Sequence, residues 1–348
     1  MLQLNNQTRF APLVQVLPDR DAVDTLYVVV RGTFTLAPVP ALGADQPPPH
    51  AADSYWGEPG ASSLKYAADI HVGKIGTDVA LVGSAHAPRG RAVPEMLCAL
   101  GVARRRKVVR VVGDRTWRGA VGGATPPAPF ASMPLLYERA FGGRDQESGR
   151  GVELANGNVA SEERNPVGVG FRAVRRLRWG AGVRLPNLED PQCPWRALGD
   201  RPPPAGFGFI APSWQPRRGY AGTYDAAWAA NRAPFLPRDF DPRFANAASA
   251  GLTFEDGLRG GEPITLDGVS REGPLRSVVP VLWPRVEVVV AGRRETPVAQ
   301  LETLLLEPDE KRMSLTWRAA LRCDKRALKI ERIHIREEGA PSCHARSS

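Results

Sequence analysis

The chain has 348 residues, 43% hydrophobic and 24% charged, enough for one large domain or two ordinary ones with a substantial core. A formal charge of +9 raises nucleic acid as a partner, but the excess is spread along the chain, and its one dense run, "RRRK" at Arg104–Lys107, has no recognition helix or RNP-like aromatic strand beside it. Four scattered cysteines (Cys98, Cys193, Cys323, Cys343) without a CxxC pair, and five dispersed histidines, argue against a zinc ribbon, a disulfide framework or a clustered metal site.

The first residues, "MLQLNNQTRF", lack the basic-then-apolar pattern of a signal peptide. The longest apolar runs, "TLYVVV" and "VEVVVAG", fall far short of a membrane span. A cytoplasmic protein is expected, with no membrane partner. The 35 glycines and 33 prolines favour turns and short strands over long helices.

Residues 1–116 read as an amino-terminal β region. In "TLYVVVRGTFTL", Leu26, Val28, Val30, Phe34 and Leu36 share one face. The first half is apolar on both sides and the second alternates, as in a strand running from the core to an edge. "TDVALVGSAH", "MLCALGV" and "KVVRVVGD" add short β-branched runs at hairpin spacing, which places "RRRK" at an exposed hairpin turn.

Residues 117–260 differ. Trp117 to Ala250 holds 16 of the 33 prolines and 17 of the 35 glycines, which alone would suggest disorder. The same stretch carries 16 of the 25 aromatic residues, among them Trp117, Trp179, Trp195, Trp214 and Trp228, so it reads as ordered, irregular loops pinned by aromatics. Only "YDAAWAANR" (Tyr224–Arg232) has helical character, Trp228 standing four residues after Tyr224. Long ordered loops are uncommon and usually functional.

Residues 261–338 return to strands. "RVEVVV", "AGRR" and the apolar run to Leu306 read as a hairpin, and "EPDEK" turns the chain again. Met313, Leu315, Trp317, Ala319 and Leu321 alternate cleanly, whereas the alternation of "LKIERIHIR" slips near Arg332. Residues 339–348 read as a disordered tail. The expected fold is mainly β: antiparallel, sandwich-like sheets with a long ordered Pro/Gly/aromatic-rich loop region and little helix. Whether the two β regions share one sheet is open at this level.

No complete catalytic motif is present. "GVGFRA" (Gly168–Ala173) fits G-x-G-x-x-A but does not follow a strand, and P-loop, GxSxG and HExxH patterns are missing. The strongest acid/base candidates lie in "LPRDFDPRFANAA" (Leu236–Ala248), where Asp239 and Asp241 could form a hydrolase-type dyad. Flanking Arg238 and Arg243 would keep both ionised, which suits structural ion pairs instead. Glu138 and Arg139 in "YERAFGG", and Glu189 and Asp190 in "PNLEDP", have the same character of loop locks that satisfy irregular backbone. No catalytic, cofactor-binding or metal-binding residue is expected.

"SSLKY" (Ser62–Tyr66), "GTDV" (Gly76–Val79), "GDRTW" (Gly113–Trp117), "MPLLYERAFGG" (Met133–Gly143), "LPNLEDP" (Leu185–Pro191), "PAGFGFIAPSWQPRRGYAGTYDAAW" (Pro204–Trp228) and "LPRDFDPRFANAA" occur in that order. The series resembles a bacterial domain-of-unknown-function family encoded in type VI secretion clusters, over about Phe10 to Arg318. The resemblance implies an adaptor or chaperone that loads an effector onto the spike, with a PAAR-like protein, a spike protein or a toxin as partner, and no catalytic residues to carry over. Trp214, Arg217, Tyr220, Tyr224, Trp228, Arg243 and Phe244 are the candidate partner-binding residues, since Trp, Tyr and Arg dominate interface hot spots. The alternatives are the hydrolase using Asp239 and Asp241, or a basic nucleic-acid-binding protein using "RRRK".

Overall fold

A computed structural model describes residues 2–119, 122–145, 159–173, 182–197 and 199–339; Trp179 and the tail after Gly339 lie outside them. The fold is mainly β, with several antiparallel sheets and, among the described residues, one α-helix, Ala226–Asn231.

The largest sheet has six strands, in the order Thr253–Phe254, Thr77–Leu81, Gln300–Glu307, Arg312–Arg322, Asp24–Thr35 and Ala11–Pro18. Strands from both ends of the chain thus share one sheet, joined where Thr77–Leu81 runs parallel to Gln300–Glu307. A five-stranded antiparallel sheet is built from Leu188–Glu189, Arg105–Val112, Glu95–Val102, Pro263–Asp267 and Leu275–Val278. A four-stranded sheet orders Gln3–Asn6, Ile330–Gly339, Leu282–Val290 and Arg293–Glu295. Alternating apolar side chains of all three merge into one core: Trp317 of the six-stranded sheet, Trp283 of the four-stranded and Leu100 of the five-stranded belong to it. A small second core, with Phe141, Phe171, Leu185 and Trp195, anchors part of the irregular region, Trp117 meeting Trp195 edge-on at 5.3 Å.

Three sequence expectations need correction. Asp24–Thr35 does not run to an edge: it lies between two strands and is buried from Thr25 to Phe34. Its polar face is covered by the following segment. Arg31 Nη1 lies 2.6 Å from His50 Nε2, Arg31 Nη2 donates to Ser314 Oγ, and the Gln46 amide satisfies both the N–H and the carbonyl of Thr33. The hairpin partner of Leu282–Val290 is only Arg293–Glu295, and the apolar run Gln300–Glu307 crosses into the six-stranded sheet. Of "RRRK", only Arg104 stands at the turn with Ala103; Arg105–Lys107 belong to the strand. The slip near Arg332 is real, because Val289 pairs with Arg332 and Val290 with Ile330, leaving a bulge at Glu331.

The covered polar face holds His50, whose ring stacks on Tyr66 at 4.6 Å. Burial, and then the Arg31 guanidinium, lower its pKa to about 4. His71 is held well below its ordinary value by burial and by Lys74 and Arg318, although Glu302 lies 3.3 Å away. Glu302 is already clamped by Arg318, so burial wins. Both imidazoles are neutral in the folded chain and bind protons on unfolding. Their contribution to stability is therefore present above about pH 6.5 and is lost as pH falls towards 4. Urea midpoints should fall between pH 7 and 5, and His50→Gln should flatten that slope. A midpoint constant over this range would sink the idea.

Candidate functional site

The irregular region is tied to the six-stranded sheet through a few side chains. Asp78, on the strand Thr77–Leu81, accepts from Ala247 N at 2.7 Å, Asn246 Nδ2 at 3.0 Å and Thr253 Oγ1 at 2.8 Å, and pairs with Lys74 Nζ at 3.2 Å. Asn246 also exchanges both amide hydrogen bonds with Ile75. Leu81 N donates to Phe207 O and Ile210 N to Ala247 O. Gly206 must be glycine, because a Cβ there would lie 2.9 Å from the Tyr137 ring.

Two 3-10 turns rise from this frame. Arg217–Tyr220 follows Pro216, and Pro242–Ala245 starts at Asp241, whose carboxylate accepts from Arg243 N at 2.9 Å. Between them opens a groove of about 510 Å³, within the range of binding pockets. Ile75, Ile210 and Pro216 give it apolar wall, and Arg217, Tyr220 and Arg243 face it. Arg243 lies 4.4 Å over the Tyr220 ring, a contact that orders both side chains.

The structure brings Arg217, Tyr220 and Arg243 together, sets Phe244 beneath Arg217 at 5.4 Å from its ring, and separates Trp214, Tyr224 and Trp228 from the groove lining. Phe244 is half-buried; its carbonyl accepts from Arg217 Nε at 2.7 Å and its ring packs edge-on against Phe240. Tyr224, 54% exposed, meets Trp228 edge-on at 4.7 Å at the start of the helix Ala226–Asn231, outside the groove lining. Asp225 caps that helix, accepting from Trp228 N. Trp214 is 2% exposed and meets Tyr137 edge-on at 5.7 Å, so it supports the groove from within and offers no surface. Trp214→Ala should destabilise the chain by about 3–5 kcal/mol in a urea titration, as a core tryptophan does. A change within about 0.5 kcal/mol would return it to the surface candidates.

Asp239 and Asp241 do not form a dyad. Asp239 accepts from Thr223 N and Oγ1, and Asp241 from Arg243 N, Nε and Nη2. Those bonds hold each carboxyl below its ordinary value, led by the Thr223 amide for Asp239 and by the Arg243 side chain for Asp241. Both stay ionised, which does not suit a general acid. Arg238 takes no part: it is exposed and makes no ion pair among the described residues.

Glu138 accepts from Ser63 N and Oγ, both at 2.7 Å, and Arg139 from the loop side reaches Asp114 and Asn187. Glu189 is buried against Arg115 and Arg110. Asp190 holds its turn through Gln192 N, with no guanidinium partner among the described residues. Sequence reasoning passed over Asp78, although "GTDV" contained it, and took Lys107 only as part of the basic turn, whereas its ammonium donates to Ser249 Oγ and to Ala250 O on the groove wall. Burial lowers the Lys107 pKa to about 8. Among the described residues, no cluster of His, Cys, Asp and Glu could hold a metal ion, and no helix is long and apolar enough to cross a membrane.

A family model described as "Uncharacterized protein conserved in bacteria (DUF2169)" matches residues 21–318, and the chain belongs to that bacterial family. The match takes in the whole groove and leaves out the strands Gln3–Asn6 and Ile330–Gly339. No curated protein and no solved structure matches the chain.

Proposed function

We propose that this chain is an adaptor or chaperone for type VI secretion, which holds a PAAR-like protein, a spike protein or a toxin effector in the cytoplasm and loads it onto the spike. The type VI context comes from the ordered motif series in the sequence. The observation that carries a binding role is the groove, where Arg217, Tyr220 and Arg243 converge on turns fastened to the sheet. Residue types that dominate hot spots stand there on a rigid frame, as a pre-formed docking site requires.

The catalytic and nucleic-acid alternatives have less support. Asp239 and Asp241 are each committed to loop hydrogen bonds. Of the basic run, Arg105 donates to Thr253 O, Arg106 pairs with Asp267 and Lys107 is turned onto Ser249, leaving Arg104.

The test is affinity capture of the tagged chain from its native bacterium with nuclease and about 0.5 M salt, which removes nucleic-acid bridging. A near-stoichiometric effector, PAAR-like or spike protein is expected. The rim variant Tyr220→Ala/Arg243→Glu, at one half-buried and one exposed position, should reduce its recovery roughly thirtyfold, the effect of about 2 kcal/mol at a hot spot, while the thermal melt holds. A partnerless chain would overturn the adaptor reading.

A further inference from the structure

We infer that the groove receives an acidic, apolar-flanked segment of the partner protein, with an aspartate or glutamate side chain seated on Arg217. This deepens the adaptor reading and rests on it.

Arg217 is only 9% exposed, yet it has no carboxylate within ion-pair distance among the described residues. Its Nε donates to Phe244 O and its Nη1 to Ile210 O, each at 2.7 Å, and its Nη2 makes no hydrogen bond among the described residues. The two carboxylates whose field reaches it, Asp53 and Asp78, are committed elsewhere, Asp53 to Ala68 N and Asp78 to Lys74 and the Asn246–Thr253 loop. A recessed guanidinium held by two carbonyls and the face of Phe244, 5.4 Å away, is desolvated without a counter-charge, a condition that a carboxylate ligand offsets. Burial already works against its charged form.

The other cations divide into spent and unspent. Arg164 is clamped by Glu162 through Nε at 2.7 Å and Nη2 at 3.0 Å, and Arg243 by Asp241. Lys107, behind Ser249 and Ala250, donates to both and makes no ion pair among the described residues. Glu255 is the one acidic side chain among the described lining residues. Arg217 is thus the lining cation left without a carboxylate among the described residues, and Lys107 adds positive field from behind the wall, which suits an acidic segment. Ile75, Ile210 and Pro216 supply wall for its apolar side chains. The remaining charge is thus positive and the wall apolar, and complementarity of this kind sets partner choice.

The experiment is fluorescence anisotropy on the full chain with three labelled short peptides. One alternates glutamate and leucine and ends in an amide, a second carries glutamine for glutamate, and a third is the glutamine peptide with a free terminal carboxylate. The acidic amide is expected to bind at least about tenfold tighter than either other peptide, with affinity falling as salt rises. Arg217→Gln should abolish the preference. Since that variant could also unfold, Glu255→Gln at the exposed rim is the second arm and should tighten the acidic peptide about two- to threefold. Equal affinities for the acidic and glutamine amides, binding by none of the three, or preference for the free-terminus peptide would overturn the inference. The two readings fail separately. A captured partner that excess acidic peptide does not displace overturns the groove assignment alone. A partnerless chain that still prefers the acidic peptide overturns the adaptor reading alone.

Discussion

Replacing Asp78 by alanine should destabilise the chain by about 3–5 kcal/mol, because it leaves a buried cation without its partner. Asp78 is 0% exposed and Lys74 nearly so, at 2% of its side chain. With the carboxylate gone, Lys74 Nζ keeps only Thr303 Oγ1, at 3.1 Å. Ala247 N and Thr253 Oγ1 lose their acceptor at the same time. With an unfolding entropy of about 2.1 cal/mol/K per residue, each kcal/mol in a chain of this length shifts the melt by about 1.4 °C, so a fall of about 4–7 °C is expected. The double variant Asp78→Ala/Lys74→Met removes the stranded charge and should recover part of the loss. It should not restore order to residues 246–253, which would still exchange amide hydrogens faster than in the parent chain. That segment forms one wall of the groove, so partner binding should stay weakened when stability has partly returned. A single-variant loss below about 1 kcal/mol would show that the hub is not what fastens the groove to the sheet.

The strands were legible where one face is apolar and local. Met313, Leu315, Trp317 and Ala319 alternate in sequence and are all buried on Arg312–Arg322, and the helix at Ala226–Asn231 carries its own cap in Asp225. Pairing was not legible. Nothing in "TDVAL" or "QLETLLLE" announces that they lie side by side in parallel, since each is apolar enough to sit inside any sheet. Alternation also misled at Arg31 and Thr33, because a polar side chain in a strand can face a covering loop that satisfies it as readily as it can face water.

The site followed the same division. Arg217, Tyr220 and Arg243 stood out through residue type beside Pro and Gly turn signals, and they converge. Trp214 stood out by the same rule and is core, since residue type does not say which way a loop aromatic turns. Asp78 was the readable signal that was passed over: a lone carboxylate inside an apolar strand must be satisfied by something, and here the loop that shapes the groove satisfies it.

The other large effect is expected at Trp317, where the six-stranded and four-stranded sheets meet. Its ring is 0% exposed and lies 5.3 Å from Phe10 and 5.5 Å from Trp283. Phe10 can lie across the sheet only because residue 32 is glycine; a Cβ on Gly32 would come within 2.8 Å of its ring. Trp283 is fixed in turn by Nε1 donating to Ala299 O at 3.0 Å. Trp317→Ala removes the shared neighbour of both aromatics and should cost about 3–5 kcal/mol in a urea titration. Trp317→Phe should cost much less than its lost area suggests. The Trp317 indole N–H is buried without an acceptor among the described residues, and deleting such a donor returns about 1–3 kcal/mol. A net loss of about 1–2 kcal/mol is therefore expected for phenylalanine. Amide exchange should show where the alanine variant gives way: the strands Leu282–Val290 and Ile330–Gly339 should lose protection before the strand Asp24–Thr35, because the contact of Trp317 with Trp283 is their aromatic attachment to the larger sheet. If all three strands lost protection together, the two sheets would have to be counted as one cooperative unit, and Trp317 as an ordinary member of its core.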